Sequence, residues 1–312
     1  MKLLSIIIPV FNNEKYLSRC FDSILNQPNI EQIKIIAVDD GSTDGSLNIL
    51  QDYQFRYPKY FEFISIENQG VSNARNVGLS LVNTDFLTFI DSDDWVSSTL
   101  YQYSLPFIEQ SSYDFICYDF VEHWPYSETK YVSSLTRCER SRYYVANVVW
   151  NKIYRTQFWR QHEFKFMTGV RYEDVELIAR LCSKTQKIGH LNLDNCVVNY
   201  DRCNPTSFMN TGRDFESLET VFKSLLNLYT ETNDVHLLKF IATTYFFQMI
   251  LFSGQPRKSW NAYRKYRVVF DRKNIESKFS RCILLIQLIS ADFLLLGILN
   301  LLKKLDINAN KL

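Results

Sequence analysis

Three aspartates fall within four positions at Asp91-Ser92-Asp93-Asp94, directly after an apolar run at residues 86–90. Carboxylates crowded at the end of a buried strand repel one another and oppose folding. A divalent cation would remove that cost, and hard oxygen ligands suit Mn2+ or Mg2+. Such an ion bridges a protein to a diphosphate and stabilises negative charge on a leaving group. The same residues also read as a solvated, helix-capping turn ahead of residues 97–108, because Asp and Ser favour helix N-termini. A second acidic segment, Asp39-Asp40-Gly41-Ser42-Thr43-Asp44, is either a turn into a capped helix or a carboxylate that accepts hydrogen bonds from a base or ribose. Arg75 would sit on a short helix, facing a diphosphate or simply exposed. Glu173-Asp174 opens a further helix. The pair complements the helix dipole, or it offers a general base, which is typically worth ~10²–10⁴ in rate.

The elements around these residues place them together. Residues 4–10 form a continuous apolar run, as a buried parallel strand does. Tyr16, Leu17, Cys20, Phe21, Ile24 and Leu25 then recur at helical spacing. Residues 33–38 read as a second strand, 61–66 as a third and 86–90 as a fourth, with helices marked by Leu47, Ile49, Leu50 and Tyr53 and by residues 71–81. Alternating strand and helix predicts an α/β fold with a mostly parallel sheet flanked by helices. Ligands bind beyond the carboxyl ends of such strands. Phe11-Asn12-Asn13, Asp39-Asp40 and Asp91–Asp94 would therefore meet in one crevice. From about residue 113 the pattern is mixed, with a strand-like stretch at 114–121 and a helix at 171–183. Beyond about residue 213 it is helical, which predicts a domain at 1–212 and a helical C-terminal region at 213–312.

Composition narrows the classes. The chain has 312 residues, 46% hydrophobic and 22% charged, with net charge +1, so no overall charge favours nucleic acid. Aromatics reach 15%; those around 143–159 are candidates for stacking on acceptor sugars. Seven cysteines without CxxC spacing argue against a disulfide framework or a zinc site and for reduced thiols in a cytoplasm. The four histidines form no ligand cluster. The N-terminal apolar run is short and broken by Pro9, so it reads as a strand and not a signal peptide. Residues 282–302 are long enough to span a membrane, yet Asp292 lies at their middle. They read as an amphipathic helix, packed on the protein or in peripheral membrane contact through residues 278–304.

Four stretches together, Ser5-Ile6-Ile7-Ile8-Pro9-Val10-Phe11-Asn12, Val38-Asp39-Asp40-Gly41-Ser42-Thr43-Asp44, Asn68-Gln69-Gly70-Val71-Ser72-Asn73-Ala74-Arg75-Asn76 and Asp91-Ser92-Asp93-Asp94, resemble the family 2 inverting glycosyltransferases of bacterial polysaccharide synthesis in order and spacing. The resemblance is strong over about residues 3–110. It extends to about residue 207 through Trp150-Asn151-Lys152-Ile153-Tyr154, Tyr172-Glu173-Asp174 and, more loosely, Tyr200-Asp201-Arg202 with Ser207. P-loop, GxGxxG and GxSxG motifs are missing, which disfavours kinase, dehydrogenase and esterase chemistry.

The resemblance implies a GT-A fold, a UDP-sugar donor, Mn2+ or Mg2+, and a glycan or lipid-linked glycan acceptor such as a lipopolysaccharide, lipooligosaccharide or capsule precursor. It implies that Pro9, Phe11 and Asp40 border the base, Asp40 reading uracil, and that Arg75 lies near the nucleotide. Asp91 would contact ribose or donor sugar, and Asp93, with Asp94, the metal. Asp174 would be the general base with Glu173 beside it, Trp150 and Lys152 would form the donor–acceptor cleft, and Arg202 would clamp the diphosphate. The enzyme would work in the cytoplasm or at the inner face of the membrane. Two rivals remain: a non-catalytic member that binds nucleotide-sugar or a partner transferase, and a sugar-phosphate nucleotidyltransferase. The second usually carries a Gly-rich basic loop where this chain has Phe11-Asn12-Asn13.

Overall fold

In a computed structural model, the described residues are 2–124, 127–131, 143, 145–193, 197–204 and 214–241. The apolar segment 282–302, the proposed membrane contact at 278–304, Ser207, and Cys138, Cys196 and Cys282 lie outside them. The chain divides into two compact units, residues 1–241 and 242–312.

The alternating pattern of the first hundred residues folds as β1 (Leu4–Val10), α1 (Leu17–Leu25), β2 (Ile33–Asp39), α2 (Ser46–Arg56), β3 (Phe61–Ser65), α3 (Val71–Ser80) and β4 (Phe86–Phe89). There follow β5 (Trp95–Val96), α4 (Leu100–Glu109), β6 (Phe115–Tyr118), β7 (Phe120–Trp124), β8 (Ser127–Tyr131), β9 (Lys152–Arg155) and α5 (Thr156–Gln161). The first unit ends with α6 (Glu173–Lys184), β10 (Ile188–Leu191), β11 (Val198–Asp201), α7 (Phe215–Thr232) and α8 (Val235–Phe240).

The larger sheet has seven strands in the order β10-β6-β9-β4-β1-β2-β3. All its pairings are parallel except those of β9, which runs antiparallel to both β4 and β6. Every residue of β1 is buried, as expected of a central strand covered on both faces. Phe21 of α1 packs edge-on against Tyr53 and Phe61, closing the core on one face. On the other, Gly78 lets α3 lie directly on the sheet: a methyl group there would sit 2.5 Å from Ile7 Cγ2. That close approach brings Arg75, one turn earlier, over the strand ends.

The strand-like stretch at 114–121 is two strands. Asp119 separates β6, in the large sheet, from β7, in a second sheet of order β5-β11-β7-β8. One apolar run thus crosses between sheets, which periodicity alone does not reveal. The composition change near residue 213 does not coincide with the division between compact units. The apolar stripe of α7, with Phe215, Leu218, Val221, Phe222 and Leu225, is buried, and α7 packs on α6 within residues 1–241.

Candidate active site

Strands β1, β2 and β4 are parallel neighbours, so their carboxyl ends share one edge of the sheet, with Val10 beside Asp39 and Ile7 beside Phe89. The loops that follow are joined by side chains. Asn12 adopts φ 51°, the left-handed region that Asn tolerates better than most residues. Its Oδ1 accepts from the Thr43 N–H at 2.7 Å, and its own N–H donates to Ser42 Oγ at 3.1 Å. Asn13 donates from Nδ2 to Ser92 Oγ at 2.5 Å and from its backbone to Ser46 Oγ at 3.0 Å. The three polar clusters therefore form one wall. Phe11 stands at its rim, 48% exposed, while Pro9 is buried within β1. The buried Asp40 carboxylate accepts from the N–H groups of Gln69 at 2.9 Å and Gly70 at 2.8 Å, so it pins the loop into α3.

A buried guanidinium organises the centre. Arg75 Nη2 meets Asp91 Oδ1 at 2.8 Å, and Nη1 meets Glu173 Oε1 at 2.7 Å and Asp174 Oδ1 at 3.2 Å. Only 4% of its side chain is exposed. Burial alone would ease deprotonation, but Asp91, Asp174 and Glu173 outweigh it and hold the cation still more firmly. Arg75 is thus engaged by three carboxylates and is not the exposed helix arginine that the sequence also allowed. Asp174 keeps 17% of its side chain open. Its carboxyl is pushed up to about 8, chiefly by burial, with Arg75 opposing and Glu173 and Asp91 adding to the rise. The pair opens α6 behind Tyr172, whose φ of 66° is left-handed and costly for a bulky residue. Two contacts to α7 fix that helix start: Ser224 Oγ donates to Glu176 Oε1 at 2.9 Å, and the Arg171 N–H donates to Ser217 Oγ at 2.9 Å.

The acidic turn is covered by the end of β11. Asn204 Nδ2 donates to Asp93 Oδ2 at 2.8 Å, and the Asp201 N–H to Asp94 Oδ1 at 2.9 Å. Arg19, on α1, reaches the Asp93 carbonyl at 2.7 Å and Asp201 Oδ2 at 2.6 Å while its guanidinium lies over Trp95. Burial, then the neighbouring Asp91 charge, raises Asp93 to about 6; burial and both neighbours raise Asp94 well above the usual carboxylate range. Asp94 Oδ2 is buried without a hydrogen-bond partner. Among the described residues, no three His, Cys, Asp or Glu side chains converge as a ready ligand set. The donors nevertheless fit a hard cation: they are all oxygens, one is orphaned, and their mutual repulsion is what an added positive charge relieves.

Other expected positions lie elsewhere. Lys152 does not line the cleft. Its ammonium is fully buried and donates to Ala146 O at 2.7 Å, Val148 O at 2.6 Å and Asn151 Oδ1 at 2.6 Å, which holds the loop before β9. Burial lowers its affinity for the proton. Trp150 is buried too, edge-on to Phe120 and against Tyr200. Tyr143, Tyr154, Phe158 and Trp159 are core residues and present no sugar-stacking surface. Arg202 is held by Glu122 Oε1 at 2.7 Å, between the rings of Tyr200 and Trp124. Arg19, Asn204 and Glu176 escaped the sequence reading, because each looks like an ordinary surface residue until the fold brings its partner to it.

Comparison with known proteins shows the family and the fold. The profile described as "Glycosyl transferase family 2" matches residues 5–171. "Glycosyltransferase GlyA" of Streptococcus pneumoniae is 30% identical over 207 residues, 61% of this chain and 29% of that protein. "Minor teichoic acid biosynthesis protein GgaA" of Bacillus subtilis is 42% identical over 119 residues, 37% of this chain and 25% of that protein. The matched part thus spans under a third of either relative. Staphylococcus aureus TarS residues 1–349, solved in complex with UDP-GlcNAc, superposes with TM-score 0.70 at 21% identity, covering 85% of this chain and 80% of that one. The mannosyltransferase PcManGT of Pyrobaculum calidifontis, in complex with GDP-Man and Mn2+, gives TM-score 0.59 at 10% identity, covering 93% and 81%. At such identities the structural likeness shows the fold.

Proposed function

The chain belongs to glycosyl transferase family 2, and from that premise we propose that it transfers a sugar from a UDP-sugar to a hydroxyl of a growing surface glycan, inverting the anomeric centre. The observation that carries this reading is the Arg75 junction, which joins Asp91, at the donor end of β4, to Asp174, 99 residues from Arg75 in sequence. A donor-side carboxylate and a candidate base thereby share one guanidinium.

In the reaction, the acceptor oxygen forms a bond to the anomeric carbon as the bond from that carbon to the diphosphate breaks. Asp174 takes the hydroxyl proton, and a carboxyl titrating near neutrality suits that task. Arg75 keeps Asp174 and Asp91 in register; Glu173 shares the same guanidinium. Phe11 and Asp40 border the base, and Asp91 meets the ribose or donor sugar. Asp93 and Asp94 would hold Mn2+ or Mg2+, which when bound supplies positive charge to the leaving diphosphate. UDP complexes of the TarS neighbour support the donor class. The names of relatives such as GgaA support a cell-surface acceptor, whose lipopolysaccharide, lipooligosaccharide or capsule character stays a proposal. No described helix is long and apolar enough to cross a membrane. Peripheral contact through residues 278–304, at the inner membrane face, belongs to the same proposal.

The test is UDP release from a panel of UDP-sugars by purified protein with Mn2+, with and without chelator. Chelator-sensitive release from one sugar is the expected result and names the donor. Failure to bind UDP at all would overturn the reading in favour of a non-catalytic, partner-binding role.

A further inference from the structure

The second sheet carries a feature that the donor chemistry does not use. In β7 and β11, which pair in parallel with Glu122 opposite Tyr200, residues two apart share a face. Tyr200, Arg202, Glu122 and Trp124 therefore line one side of this small sheet. Their side chains are interlocked. Glu122 accepts from Arg202 Nη2 through Oε1 at 2.7 Å and from the Trp124 indole N–H through Oε2 at 3.3 Å. The guanidinium lies 5.2 Å from the Trp124 ring and 4.6 Å from the Tyr200 ring. Trp124 is nevertheless 45% exposed. An indole at the surface, with its N–H bonded to Glu122 and the Arg202 guanidinium beside it, offers an oriented apolar face to solvent.

The row leads to the reaction centre. Tyr200 packs against Trp150 at 5.2 Å, beside the charges of Asp91, Asp93 and Asp94. Asp201, between Tyr200 and Arg202, bonds Asp94. We propose that Trp124 and the Glu122–Arg202 pair form an acceptor subsite, in which one sugar ring of the growing glycan stacks on the indole and its hydroxyls meet the carboxylate and guanidinium. This rests on the glycosyl-transfer reading above. The chemistry favours a neutral sugar. The indole offers an apolar face, and Glu122 both occupies the guanidinium and repels an anion.

The experiment is saturation-transfer-difference NMR on the full chain saturated with UDP, using the methyl glycosides of glucose, galactose, N-acetylglucosamine and rhamnose, with glycerol 3-phosphate as the anionic control. At least one glycoside should show transfer concentrated on the C–H protons of one ring face. Trp124→Ala should weaken it about tenfold and Trp124→Phe much less, as expected for a lost aromatic contact. UDP affinity and acceptor-free UDP-sugar hydrolysis should not change in either variant. The subsite is overturned if no glycoside binds a protein that binds UDP, if Trp124→Ala leaves the signal intact, or if only glycerol 3-phosphate binds. Loss of UDP binding and hydrolysis in the parent protein would instead sink the underlying transferase reading.

Discussion

Replacing Arg75 by glutamine removes a cation shared by Asp91, Glu173 and Asp174. At 2.7–3.2 Å each pair, when its carboxylate is ionised, attracts by about 5–6 kcal/mol at an effective dielectric of about 20, before any desolvation cost is charged. The net effect is smaller, since stripping one partner from a buried ion pair costs ~3–5 kcal/mol. For a unit of this size that corresponds to a fall in Tm of about 10 °C. Protonation limits the damage, and this gives the test its shape. Asp174 already titrates at about 8, against 3.8 for an ordinary aspartate, and must rise further without Arg75. Between those values the native state keeps a proton that the unfolded chain has released. Stability then falls as pH rises, and the deficit of Arg75→Gln should be least near pH 5 and greatest above pH 8. Urea unfolding of parent and variant at several pH values measures it. A deficit below about 1 kcal/mol that does not vary with pH would refute a buried carboxylate cluster held by Arg75.

Asp174→Asn should keep UDP binding and lose transfer by ~10²–10⁴; in the parent, the rate should rise with pH up to about 8, where the carboxyl loses its proton. Near-normal transfer by the variant, followed as UDP release, would remove Asp174 as the base. Asp93→Ala should abolish the Mn2+-dependent part of UDP affinity in a calorimetric titration, and unchanged affinity would place the ion elsewhere. Lys152→Met should leave UDP affinity unchanged but cost ~1–3 kcal/mol in denaturant unfolding, because buried carbonyls lose their donor. A weakened UDP affinity would return Lys152 to the cleft. Deleting residues 278–312 should move the protein from membrane to soluble fractions; unchanged partitioning would mean that this segment only packs.

What the sequence determines by itself is the frame. The burial of Leu4–Val10, and of Ile33–Asp39 apart from Lys34, is written as mainly apolar runs, and the polar residues that end them had to meet at one sheet edge, because parallel neighbours point the same way. Burial is a property of each residue in turn, so a linear pattern records it. Pairing is not. Arg75 could be read as a diphosphate ligand or a surface arginine, and nothing near it in sequence announced that the close seat of Gly78 on β1 would bring it against residues 98 and 99 positions away. Lys152 shows the same limit, since a lysine in an apolar stretch says nothing about the carbonyls that will surround its ammonium. The Glu122–Arg202–Trp124 row likewise exists only because β7 and β11, 80 residues apart, lie side by side. Hydrophobic periodicity acts over a few residues and fixes which elements form. The partner of a charge is set by where distant elements cross, and only the tertiary structure decides that.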